Sequence, residues 1–169
     1  MFEEFSLDDF NANPFKMIGK DWMLVAAGDG GKANAMTASW GGLGVLWGEN
    51  VAFVFIRPQR YTKEFVDAGD RFSLSFPGEE YRSAMTYLGK VSGRNEDKIA
   101  QCGMKLVFDS ETGVPYFEES HVVFILRKLY VQRMDPNSFL CKDIVGKCYS
   151  AGDFHEVYVC KIEKALRCA

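Results

Sequence analysis

Short β-prone runs recur along this chain with turns between them, and helical patterning is confined to the middle. A parallel sheet needs a crossover, usually a helix, after each strand, so this spacing excludes a βαβ architecture. Trp22 to Ala27 is apolar and stops at Gly28-Asp29-Gly30-Gly31, which is hairpin chemistry. Val51 to Ile56 is β-branched and aromatic and ends at Arg57-Pro58, the mark of a buried strand. Arg71 to Phe76 alternates Phe72, Leu74 and Phe76, a strand with one buried face. His121 to Asp135 carries Val122, Phe124 and Leu126 on one face and Val123, Ile125, Leu129 and Val131 on the other, so it is expected to pack twice. Phe139 to Ile144 reads as a weaker strand, and Glu156 to Leu166 as a last strand turning helical at its end. Thr62 to Ala68 is a short helix stopped by Gly69-Asp70. Glu79 to Leu88 sets Tyr81, Ala84, Met85 and Leu88 on one helical stripe. Asp97 to Cys102 is expected to add a helical turn, and the glycines of 41–44 to mark close backbone approach or bends. Residues 1–20 read as an irregular arm, with 1–12 ahead of an Asn13-Pro14 turn. The expected fold is mainly β, an antiparallel barrel with appended helices, one domain over 1–169.

Composition permits this. The 169 residues are 47% hydrophobic and 14% aromatic, enough apolar surface for a core without disulfides or metal and too much for a disordered chain. Net charge is −3, which argues against non-specific nucleic-acid binding. Residues 1–10 carry four acids and no base, the reverse of a secretory leader, and the longest uncharged run, Ala33 to Gly48, is too short for a membrane span. Five cysteines cannot all pair within the chain, and no two stand at a C-x-x-C spacing, so buried thiols in a reduced, cytoplasmic setting are expected.

Familiar motifs fail. Gly42-x-Gly44 meets Trp47 where a dinucleotide fingerprint needs its third glycine, and Gly31-Lys32 is followed by Ala33 where a P-loop needs a hydroxyl. No serine sits in a G-x-S-x-G elbow, and His121 and His155 lack metal-ligand spacing.

Four segments carry the remaining chemistry. In Asn34 to Trp40, alternation puts Asn34, Met36, Ala38 and Trp40 on one face and Thr37 and Ser39 on the other. Small residues let the backbone approach a flat ligand that Trp40 walls; a tight barrel bend with a core tryptophan explains the same pattern. Arg57-Pro58-Gln59-Arg60-Tyr61-Thr62-Lys63 precedes a helix whose free N–H groups, with the Thr62 hydroxyl and Arg57 and Arg60, make a seat for a phosphate or an ordinary capped loop. In Ser92 to Lys98, Arg94 or Lys98 can neutralise an anion from a second direction, or simply be solvated. Tyr149 to His155 puts aromatics and a histidine in a turn that covers a ligand face or merely packs Phe154.

In this order the four segments resemble the flavin reductase-like FMN-binding split-barrel family, its flavoredoxin branch most closely, from roughly Asn13 to Leu166. The resemblance implies a six-stranded antiparallel Greek-key barrel with helices at one side, and a homodimer holding FMN near the subunit interface. It assigns Asn34 and Trp40, with Thr37, Ala38 and Ser39 between them, to the isoalloxazine side, Thr62 to the phosphate and Lys98 to its neighbourhood. Met36, Arg57 and Arg60 join them as cofactor-binding candidates, and Tyr61 as an aromatic where the flat cofactor would lie. Phe154 matches the aromatic lying by the flavin, and His155 would position a nicotinamide. The family usually has Gly-Asp-His contiguous, whereas here Phe154 intervenes; a further histidine has no counterpart, Asn137 standing near its place. The implied activity is an oxidoreductase passing electrons from NADH or NADPH through FMN to a flavin, metal or protein acceptor. The alternatives are a flavoredoxin-like carrier that does not itself oxidise NAD(P)H, and a non-redox binding domain.

Overall fold

A computed structural model describes residues 2–168. Ten strands form: β1 (Phe2–Glu4), β2 (Met23–Gly28), β3 (Ala33–Ala38), β4 (Gly41–Leu46), β5 (Glu49–Ile56), β6 (Arg71–Pro77), β7 (Leu106–Phe108), β8 (Pro115–Phe117), β9 (Ser120–Arg133) and β10 (Glu156–Cys168). Eight of them make one antiparallel sheet in the order β3-β2-β6-β9-β10-β5-β4, with β1 paired to β10, and β7–β8 is a separate hairpin. The helices are α1 (Pro14–Lys16, running into a wider turn to Asp21), α2 (Tyr61–Ala68), α3 (Arg82–Lys90), α4 (Lys98–Gln101) and α5 (Lys142–Cys148).

The sheet's two outer strands are consecutive in the chain. β3 ends at Ala38 and β4 begins at Gly41, so only Ser39 and Trp40 join them. Seven strands laid flat would hold their outer members about 29 Å apart. Three Cα steps reach about 11 Å at most. The sheet must therefore curl until its edges nearly meet, yet β3 and β4 are not paired with each other. The result is an antiparallel split barrel with its seam at Ser39–Trp40. Shifts of register in the β9–β10 ladder at Val159/Cys160 and Ile162/Lys164 help the bend.

Alternation fills the inside. Met23, Val25, Val54, Ile56, Phe72, Leu74, Phe124, Leu126 and Tyr158 are buried in one cluster. The outer face of β2, through Leu24 and Ala26, packs on Met85 and Leu88 of α3 and on Phe117 of β8. Gly28 closes the β2–β3 hairpin at φ +138°, where a Cβ would strike the Lys32 carbonyl, and Asp29 Oδ1 accepts from the backbone N–H of Gly31 and Lys32. Trp47 and Gly48 both take positive φ and form the two-residue β4–β5 turn.

Several expectations are corrected. The sheet has eight strands, not six. The N-terminal arm is not irregular: Phe2–Glu4 adds a strand to β10, and Asn13 caps α1 by accepting from Phe15 and Lys16. The β1 pairing keeps β10 extended to Cys168 instead of turning helical. The region read as a weak strand, 139–144, overlaps helix α5, whose largely exposed surface leaves no apolar stripe to read. β6 buries both faces: Ser73 Oγ donates to the Pro115 carbonyl at 2.5 Å and Ser75 Oγ accepts from Phe117 N. Of the cysteines, Cys102 and Cys160 are buried, while Cys141 and Cys168 are exposed.

Candidate functional site

A groove opens at the seam. Its first compartment, about 490 Å³, is bounded by Met36–Trp40, by Phe55 and Arg57 of β5 and its end, and by His155 at the start of β10. Its second, about 630 Å³, continues past α2 and the α3–α4 loop, where Tyr61, Thr62, Ser92 and Lys98 line it. Met36, Arg57 and Arg60 are common to both.

The first compartment holds three aromatic rings, those of Trp40, Phe55 and His155. Trp40 is half exposed, 5.2 Å centroid to centroid from His155, and Phe55 meets His155 edge-on. Thr37 donates to the Met85 carbonyl, which ties β3 to α3 beneath the groove. His155 is buried, and its Nδ1 lies 2.8 Å from the Tyr149 hydroxyl. Burial, with the Arg57 charge behind it, presses the imidazole pKa down to about 4, so His155 is neutral near pH 7.

That depression has a measurable sign. The unfolded chain, with an ordinary histidine pKa near 6.5, binds a proton that the folded chain refuses down to about 4. Stability therefore falls as pH drops from about 6.5 to 4, by about 3 kcal/mol for this group. His155→Gln should flatten that part of the profile in urea titrations at pH 7 and pH 4. Equal slopes in both proteins would contradict a neutral, buried His155.

The second compartment is basic and rich in donors. The first turn of α2 leaves backbone N–H groups without intrahelical acceptors. Thr62, on that turn, is buried, and its Oγ1 accepts from Asn34 Nδ2 at 2.9 Å. With its acceptor side taken, the hydroxyl is left to donate, which suits an anion. Arg60 Nη1 donates to the Gly89 carbonyl at 2.6 Å, and burial and Arg57 hold its pKa below the ordinary value. Lys98 is 3% exposed; its ammonium donates to the carbonyls of Leu88 (2.9 Å) and Val91 (3.0 Å). Burial, then Arg60, lowers its pKa to about 8, which leaves it charged at neutral pH with a third N–H to give.

Thus the structure gathers the sequence-predicted residues on one groove, with two exceptions. Asn34 stands behind it, holding Thr62. Phe154 turns away, stacking on Tyr149 at 4.8 Å and packing on Phe139, so the ring that faces the groove from this turn is that of His155. Arg57 is also not a free cation. Its guanidinium binds Asp153 at 2.6 Å and the Cys148 carbonyl at 2.9 Å, and Gln59 reaches the same carboxylate. It anchors the C-terminal turn to the groove. Arg94 is likewise engaged by Glu64 and the Gln59 carbonyl, its guanidinium 4.7 Å from the centre of the Tyr61 ring. Phe55 was legible only indirectly: it stands two residues before Arg57 and so shares its face. Asp153 gave no signal of its partner Arg57, 96 positions away, and Tyr149, six residues from His155, was legible only as one of the aromatics of its turn.

An antiparallel split barrel with a two-part groove at its seam defines the class. A model of the flavin reductase like domain matches residues 16–165, and the chain belongs to that family. No curated protein matches it. Among solved structures, an FMN-binding domain of a flavin reductases-like enzyme from Shewanella baltica shares the fold at TM-score 0.71, with 15% identity over 99% of this chain and 77% of that one. Flavoredoxin from Methanosarcina acetivorans superposes at 0.67, with 21% identity over 86% and 67% of the two chains. An NADH:FAD oxidoreductase from Streptomyces globisporus superposes at 0.65, with 14% identity over 88% and 76%.

Proposed function

We propose that the groove binds FMN and that the protein is a flavin reductase-like oxidoreductase using NADH or NADPH. The observation that carries this reading is the groove's two-part lining: a compartment with three aromatic rings for a flat ligand, joined through Met36, Arg57 and Arg60 to a second that adds Thr62 and Lys98 for a phosphate. FMN, when bound, supplies the hydride and electron chemistry. The chain's own residues hold and orient it. Thr62, the first turn of α2, Arg60 and Lys98 receive the phosphate. Trp40 and the backbone of Thr37–Ser39 bound the ring, and the Arg57–Asp153 pair keeps His155 in place beside it. The electron acceptor is a flavin, a metal ion or a protein.

A flavoredoxin-like carrier is the second reading, favoured by Trp40 and His155 crowding the end where a nicotinamide would lie. A purified sample that stays colourless and ignores added FMN would sink both. Anaerobic NADH or NADPH separates them, because only the reductase bleaches its flavin rapidly. Trp40→Ala is expected to weaken FMN and riboflavin by the same factor, roughly 5- to 10-fold for one lost aromatic contact; unchanged affinities would return Trp40 to a packing role.

Assembly as a homodimer is part of the same proposal. Trp47 pairs a positive φ with an exposed indole at the β4–β5 turn, next to exposed Tyr130. Val45, Leu129 and Val131 are exposed too, an apolar surface that a second copy would cover. Among the described residues no helix is long and apolar enough to cross a membrane.

A further inference from the structure

Tyr149 stands behind His155, outside the groove, and is itself buried. Its hydroxyl has one proton and two neighbours: His155 Nδ1 at 2.8 Å and the Met134 thioether sulfur at 3.5 Å. Burial pushes the phenol pKa up, so the proton stays on Tyr149. A thioether is a weak acceptor, whereas a bare imidazole nitrogen is a good one. The hydroxyl proton therefore goes to Nδ1, and the ring proton must sit on Nε2. No group among the described residues bonds Nε2. Among the described residues the only buried side-chain nitrogen or oxygen without a partner is Ser120 Oγ, so Nε2 keeps contact with solvent, and the groove is where His155 meets it.

We propose that Tyr149 is a positioning residue that fixes His155 as its Nε2–H tautomer, giving the aromatic end of the groove one neutral hydrogen-bond donor. Such a donor selects an acceptor atom on the ligand, a carbonyl oxygen or a bare ring nitrogen, and gives no preference to an anion. The flavin's pyrimidine edge and a nicotinamide carboxamide both offer that chemistry. The ligand half of this inference rests on the FMN reading; the tautomer half does not.

Nitrogen-15 NMR of histidine-labelled, flavin-free protein at pH 7 reads the tautomer directly. The chain has two histidines, and His121→Gln removes the other signal. The expected spectrum shows a bare, hydrogen-bonded Nδ1 and a protonated Nε2, unchanged by Met134→Leu. In Tyr149→Phe the Nδ1 resonance should move to that of a free imidazole nitrogen. A protonated Nδ1 in the unsubstituted protein, or a tautomer switch in Met134→Leu, would overturn the proposal. In the ligand arm, His155→Leu, which removes the donor, should raise one dissociation constant about 3- to 10-fold, the loss of a neutral hydrogen bond. A change for FMN marks the flavin edge as the acceptor; a change for NADH marks the carboxamide. Tyr149→Phe, which leaves the ring proton free to exchange between the two nitrogens, should raise the same constant by less than about threefold and be silent in the His155→Leu background. No change in either constant for a protein that binds FMN refutes the donor role. A protein that binds no flavin defeats the FMN reading and leaves the NMR result standing.

Discussion

Replacing Lys98 with methionine is expected to weaken FMN binding about 10- to 100-fold while riboflavin loses less than about threefold, since a charge-assisted bond is worth about 1.5–3 kcal/mol. Riboflavin lacks the phosphate, so it controls for any general disturbance from leaving the Leu88 and Val91 carbonyls without their donor. Fluorescence titrations of both ligands provide the ratio. Equal losses would move Lys98 from the phosphate to the scaffold. A pH series adds an independent check. Because Lys98 titrates at about 8, below the ordinary lysine range, its charge disappears as pH rises through that value, and the preference for FMN over riboflavin should decline from there upward. Thr62→Ala should act in the same direction with a smaller loss.

The largest effect on stability is expected at Phe124. Its ring is fully buried at the middle of β9, edge-on to Phe10 at 5.4 Å and to Phe76 at 5.7 Å. β9 lies between β6 and β10, so the cavity left by Phe124→Ala cannot collapse without disturbing two ladders. A loss of about 3–5 kcal/mol follows. Urea unfolding should show the midpoint fall, while Leu140→Ala, at a fully exposed position, leaves it in place. Similar midpoints for the two variants would mean that this aromatic cluster is not the centre of the fold.

What could be read from the sequence follows from how local each signal is. Alternation in Arg71–Phe76 and His121–Asp135 and the hairpin chemistry at Gly28–Gly31 are written in neighbouring residues, and β6, β9 and the β2–β3 turn formed where they indicate. The β7–β8 hairpin is three residues a side and carries no period to detect. Its presence is what buries Ser73 and Ser75, so their polarity pointed to an exposed face that does not exist. In the groove, residue types predicted the neighbourhood but not the pairings. Arg57 looked like a free cation because Asp153, its partner, lies 96 positions away. Phe154 left the groove while His155 stayed in it, because neighbouring residues of an extended segment point to opposite sides and only one of the two can face the ligand.

Ser39 and Trp40 also act as a ruler. Because they link the two edges of one curled sheet by a fixed length of chain, they set how far those edges can part. The same link ties the β3 wall of the groove, Met36–Ala38, to the Phe55 and Arg57 wall that β4 is paired to. Inserting residues between Ala38 and Gly41 would free the two edges to part and would carry Trp40 out of the groove it walls.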